Sequence, residues 1–182
     1  MSLFANLFSE GPRFGKSIND IVDGFQKWRI WARLAWMGTR EQYQRSVIGP
    51  FWITLSTLVM VLTFGLLYGR LMDRGLSEHL PYVAVGLVFW MLFSEILVKG
   101  CNVFISNGRM IQQLPLPLSI YLYRLITQEL IVFAHNLIIV LVIFLVLLRP
   151  LELVALLSIV GIALLLVIST SVALIFGVVS TR

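Results

Sequence analysis

Residues 28–49 read WRIWARLAWMGTREQYQRSVIG, and residues 50–69 read PFWITLSTLVMVLTFGLLYG. The step between them, at Gly49–Pro50, decides the fold class. The second stretch carries no charge over 20 residues. A bilayer core about 30 Å thick needs roughly that length of apolar helix to cross it. The first stretch mixes Arg29, Arg33, Arg40 and Arg45 with Trp28, Trp31 and Trp36. That composition suits a helix in the headgroup layer rather than one spanning the hydrocarbon. The chain is expected to run along a membrane surface and then enter it.

The whole composition agrees. Of the 182 residues, 59% are apolar and 13% charged, against about 25% charged in soluble domains. The net charge of +5 reads as topology signal and headgroup contact rather than as a nucleic-acid footprint. Cys101 is the single cysteine, which excludes an intrachain disulfide and a cysteine-rich metal site. MSLFANLF at the start is too short for the apolar core of a cleavable signal.

Four apolar spans are expected, over about 51–69, 80–98, 119–148 and 153–179. Residues 1–48 form an N-terminal cytoplasmic segment carrying the amphipathic helix, and 49–182 the transmembrane domain. The fold class is therefore all-α, a polytopic membrane helical bundle. If the N-terminus is cytoplasmic, eleven of the 14 Lys and Arg residues lie on that side, and only Arg70, Arg74 and Arg149 lie opposite. This bias places both ends of the chain in the cytoplasm.

Between the second and third spans runs KGCNVFISNGRMIQQLPLPLSIYLYR, residues 99–124. A short helix over about 103–116 is expected, ended by Leu-Pro-Leu-Pro, which cannot continue it. Phe104, Ile105, Met110, Ile111 and Leu114 give this piece an apolar side, with Asn107, Arg109 and Gln112 exposed. A short helix stopped by prolines, Pro115 first, makes a rigid knob suited to a partner's cleft.

On the N-terminal helix, Arg29, Arg33 and Arg40 share one face at about 100° per residue, with Trp28, Trp31, Leu34 and Ala35 spread over the other. Trp36 breaks the pattern. Glu95 and Lys99 stand at i,i+4 in the favourable order and are expected to pair at the interface, with Glu129 a separate interfacial group. His135 and Asn136 lie deeper and are expected to bond to a neighbouring helix. Gly65 and Gly69 allow close helix packing. Tyr68, Phe89, Trp90 and Phe93 are candidate rings for a passage along which the apolar faces of sugars slide. No phosphate-binding G-x-x-x-x-G-K-[ST], no H-E-x-x-H and no nucleophile elbow occur in the chain. Energy for any driven work must then enter from elsewhere.

QYQRSVIGPFWITLS at residues 42–56, preceded by a basic tryptophan-rich helix, resembles the start of the type-2 ATP-binding-cassette permeases that export bacterial capsule, O-antigen and teichoic acid polysaccharides. The likeness continues through NGRMIQQLPLPLSIYLYR, FAHN at 133–136 and FGVVSTR at 176–182. The R-[SY]-x-[IL]-G-P-[FL]-W block is specific; FAHN alone is not. The resemblance implies a homodimer in the bacterial inner membrane, with two separate cytoplasmic ATPase subunits that hold the ATP and Mg. Its cargo is a lipid-linked polysaccharide, and no catalytic residue, metal or cofactor belongs to this chain. The amphipathic helix with Trp28, Arg29, Trp31, Arg33, Trp36 and Arg40 matches the family's interface or gate helix. The piece with Phe104, Ile105, Asn107, Arg109, Met110, Leu114 and Pro115 matches its coupling helix. Members of the family have six spans and this chain has four, so the sequence is expected to be C-terminally truncated. Two other classes stand as alternatives, an ion-coupled secondary transporter and a membrane-embedded enzyme acting on lipid-linked glycans.

Overall fold

The computed structural model describes residues 13–43, 51–71, 75–114, 116–148 and 157–181. Within them the chain is all-α: α1 Arg13–Gln26, α2 Trp28–Tyr43, α3 Phe51–Leu71, α4 Leu76–Cys101, α5 Val103–Ser106, α6 Gly108–Gln113, α7 Ser119–Val146 and α8 Leu157–Ser180. Among the described residues, four helices (α3, α4, α7 and α8) are long and apolar enough to cross a membrane. The junction at Gly49–Pro50, Arg45, Pro115, Arg149 and the expected start of the fourth span lie outside the described residues.

The expected spans and the helices agree closely at α3 and α7. The helix α4 is longer than expected. It begins at Leu76, before Pro81, which loses one backbone bond near the helix start instead of ending the helix. Glu78 in its first turn complements the positive end of the helix dipole.

The bundle is built around α4 and α7, which run antiparallel. One apolar cluster joins Val88, Leu92 and Ile96 of α4 to Tyr121, Leu122, Leu125 and Phe133 of α7. A second joins Val61 of α3 to Leu80 and Ala84 of α4 and to Ile139 and Ile143 of α7. Gly65 lies so close to α4 that a Cβ there would meet Leu80 Cδ1. That close approach is shown at Gly65, the first of the expected Gly65–Gly69 pair.

The helix α8 runs parallel to α4 and touches it through small residues. Ser169, Ala173 and Gly177 are its buried positions. A Cβ on Gly100 would meet Ala173 Cβ, and one on Gly177 would lie 2.9 Å from the Gly100 carbonyl. The two backbones are in contact, and only glycine permits that at Gly100.

The helix α1 precedes the expected amphipathic helix. It is joined to α2 through a single irregular residue, Lys27, whose carbonyl accepts from Ile30 N–H at 2.9 Å. Both helices pack on the first turns of α7. The Asp20 carboxylate accepts from Leu118 N–H at 3.1 Å and from Ser119 N–H at 3.0 Å, and Ser119 Oγ donates to the Asp20 carbonyl at 2.6 Å. A carboxylate from a distant part of the chain thus caps α7, satisfying orphan amides at the positive end of its dipole. Gly24 makes the approach possible, since a Cβ there would meet Ser119 Oγ.

Candidate functional site

The α1–α2 helices, the α5–α6 knob, the start of α7 and the ends of α4 and α8 all gather at one end of the bundle. The expected single helix over 103–116 is two short helices. Asn107, at φ −99° and ψ 10°, separates them, and Leu114 is extended at φ −118° and ψ 124°. The break has a local cause: the Asn107 side chain competes for backbone partners. Its Nδ2 donates to the Val103 carbonyl at 2.7 Å, while its Oδ1 accepts from Arg124 Nη1 at 3.1 Å. Asn107 is therefore a tie between the knob and α7 rather than a free surface group.

Four apolar side chains hold the knob from inside. Phe104, Met110 and Ile111 pack against the larger cluster, and Val103 is buried within it. The Phe104 ring reaches the Gly177 surface of α8, 3.1 Å from where a Cβ would stand. Ile105, Arg109, Gln112, Gln113 and Leu114 point outward and are exposed. The apolar side read from sequence is thus divided, with Ile105 and Leu114 left exposed. The knob touches α4, α7 and α8 at once.

The amphipathic helix α2 runs beside the first turns of α7 in the same direction. Trp31 packs against Tyr123 with ring centroids 5.8 Å apart, and Ala35 and Thr39 are buried beneath it. Arg29, Arg33 and Arg40 are exposed on the opposite face. Trp36 flanks them, 64% exposed, so the residue that broke the sequence pattern belongs to the outer, basic–aromatic surface. Trp28 is also outward, with the Arg29 guanidinium 5.7 Å from its ring centre. Such a surface fits the membrane–water boundary.

The candidate channel rings do not converge. Phe89 packs edge-on against Phe133 in the protein core, centroids 5.4 Å apart. Trp90 points away from the core and pairs with Phe93 at 5.9 Å. Tyr68 stacks on Phe64 at 6.0 Å near the far end of α3. Of these, Trp90 and Tyr68 are exposed.

Just above the knob lies an ion network that sequence spacing gave only in part. Lys99 Nζ is 3.2 Å from Glu95 Oε2, as the i,i+4 spacing predicts. It also stands 2.7 Å from Glu129 Oε1 on α7. Glu129 is 4% exposed, a buried carboxylate rather than an interfacial one. The deeper polar pair also departs from expectation. His135 Nδ1 contacts the Ile131 carbonyl of its own helix at 2.8 Å, which leaves it no need of a neighbour through that nitrogen. Asn136 is 3% exposed and its Oδ1 has no hydrogen-bond partner. Among the described residues, no group of three or more His, Cys, Asp or Glu side chains is placed to hold a metal ion.

Comparison of the chain with family models, with curated proteins and with solved structures finds no match.

Proposed function

We propose that this chain is the permease subunit of an ATP-driven exporter of lipid-linked polysaccharide in a bacterial inner membrane. It works as a homodimer with two cytoplasmic ATPase subunits, which bind the ATP and Mg. The N-terminal helices and the knob face the cytoplasm, in keeping with the positive-inside bias.

The observation that carries this reading is the attachment of the α5–α6 knob. Its outer surface offers Ile105, Arg109 and Leu114, while its inner surface is fastened to three membrane-length helices. A push on it reaches α4 through the chain, α7 through Asn107–Arg124, and α8 through Phe104 against Gly177. A partner that closes on ATP therefore has a stiff lever on most of the bundle, as a rigid-body switching mechanism needs. The resemblance of residues 42–56 and 107–124 to the exporter permeases supplies the cargo class.

The test is reconstitution with the ATPase subunit in proteoliposomes loaded with labelled lipid-linked glycan. Ile105→Asp and Arg109→Glu should each cut ATP-driven transport at least tenfold while insertion and thermal unfolding stay as in the parent. His135→Ala should transport normally. Transport driven by an ion gradient without ATP would instead establish the ion-coupled alternative, with the buried Glu129 and its partner Lys99 as the candidate path.

A further inference from the structure

The helices α1 and α2 share one register across Lys27, whose N–H donates to the Asp23 carbonyl, four residues back, at 3.3 Å. Counted along both, Ile21, Phe25, Trp28 and Trp36 stand at i, i+4, i+7 and i+15, which is one flank of a helix. All four are exposed. The flank is about 22 Å long at 1.5 Å per residue. Beside it, turned away from α7, run Arg29, Arg33 and Arg40, also exposed.

The arginine stripe lacks counter-charge. Among the described residues, neither ion pair involves it, since both are made by Lys99. The exposed carboxylates of the helix pair, Asp23 and Glu41, stand about 100° round the helix from Arg40. Arg29 and Arg33 at i,i+4 repel each other. The stripe is therefore complementary to an anionic surface.

The place of the pair in the fold says which surface. Gln42, near the end of α2, lines one cavity with Lys99, which lies in the last turn of the membrane-length helix α4. The next membrane-length helix, α3, begins eight residues after α2 ends. The pair thus lies where spans begin and end. In water its apolar flank would be a contiguous exposed patch, and in hydrocarbon its arginines would be costly. The boundary between the two satisfies both. A zwitterionic headgroup carries its own ammonium, which competes with the arginines for the phosphate. An anionic headgroup offers the phosphate without that competitor, and a guanidinium fork can hold it through two hydrogen bonds.

We propose that α1 and α2 together form a docking surface for lipids whose headgroups carry net negative charge. Ile21 and Phe25 of α1 and Trp28 and Trp36 of α2 lie against the upper acyl chains, and Arg29, Arg33 and Arg40 hold the phosphates. The helix α1 supplies half of the apolar flank. This surface is independent of the cargo.

The test reconstitutes the full chain in phosphatidylcholine vesicles with a trace of spin-labelled phosphatidylglycerol or spin-labelled phosphatidylcholine. The motionally restricted fraction of each label gives its relative affinity. Phosphatidylglycerol should be preferred at least about threefold. The triple variant Arg29→Gln, Arg33→Gln, Arg40→Gln should lose most of that preference with an unchanged unfolding midpoint. Salt near 1 M, where screening acts within about 3 Å, should do the same to the parent. Arg70→Gln, exposed at the far end of α3, should leave the preference intact. Photo-crosslinking residues at Phe25 and at Trp36 should label phospholipid. No preference in the parent, or one that the triple variant keeps in full, would overturn the proposal. Adducts of both positions with the ATPase subunit in the assembled complex would overturn it as well, and would assign the flank to a protein.

Discussion

The helices α7 and α8 look alike as strings of Leu, Ile and Val, and the fold treats them oppositely. Ten of the 28 residues of α7 are buried, against three of the 24 in α8. The difference makes α7 the axis on which α1, α2, α3, α4 and α5 assemble, and leaves α8 a helix held along one narrow strip. In water, apolar character marks the inside of a protein. In a bilayer it marks lipid and protein contact equally, so the discriminating signals are the exceptions. Those of α7 are polar: Ser119, Glu129 and Asn136 are all buried. Those of α8 are small: Ser169, Ala173 and Gly177. Polar groups fix a helix in one orientation, whereas small ones let two backbones meet.

The largest break in that comparison should come from the ion pair. Lys99→Met leaves the Glu129 carboxylate buried without its partner and should cost about 2–3 kcal/mol in detergent-solubilised unfolding. Lys99→Met with Glu129→Leu should recover most of that loss, since two apolar groups need no pairing. If the double variant is as unstable as the single, the pair does more than neutralise charge.

On α8 the matching break is Gly177→Val. Its new methyl groups meet the Gly100 carbonyl and the Phe104 ring, and the repacking should cost about 1–3 kcal/mol. Ile168→Ala, on the exposed face of the same helix, should move the unfolding midpoint by less than about 0.5 kcal/mol equivalent. Equal effects would mean that α8 is covered on both sides.

A smaller effect is expected at the cap. Asp20→Ala removes two acceptors from the start of α7 and should cost about 1–2 kcal/mol, with faster amide exchange along α1 as the local readout. The smallest is a gain. Leu148 ends α7 at φ 49°, a left-handed conformation that favours glycine. Leu148→Gly should raise stability by about 0.5–1 kcal/mol in the same unfolding assay.

These residues also show what was legible beforehand. Span number and type follow from uncharged stretches of about 20 residues, the length a helix needs to cross the hydrocarbon with its own backbone satisfied, where a barrel strand needs about half that. The Glu95–Lys99 pair follows from helical spacing. The Lys99–Glu129 bond does not, since the two are 30 positions apart and meet only once α4 and α7 are packed. Asp20 offers the same lesson across 99 positions. The helix α1 carried a signal in its spacing of Phe14, Ile18, Ile21 and Phe25 that the polar residues between them obscured. The short helices stop at Gln113, just before the Leu-Pro-Leu-Pro run, whereas the break at Asn107 comes from a side chain that bonds back to the Val103 carbonyl and is held by Arg124 across the fold. Of the candidate rings, Phe89 turns to the core while Trp90 and Phe93 meet outside it, since residues 89 and 90 point about 100° apart on a helix.

The proposed coupling is tested most directly by a photo-crosslinking residue placed at Ile105, in cells that assemble the native membrane complex. The account predicts a covalent adduct with an ATPase subunit, formed at the knob, absent when the crosslinker sits at Leu145, and altered in yield by ATP. Labelling of the Ile105 position by a membrane-impermeant reagent from outside the cell, with no ATPase adduct, would contradict it.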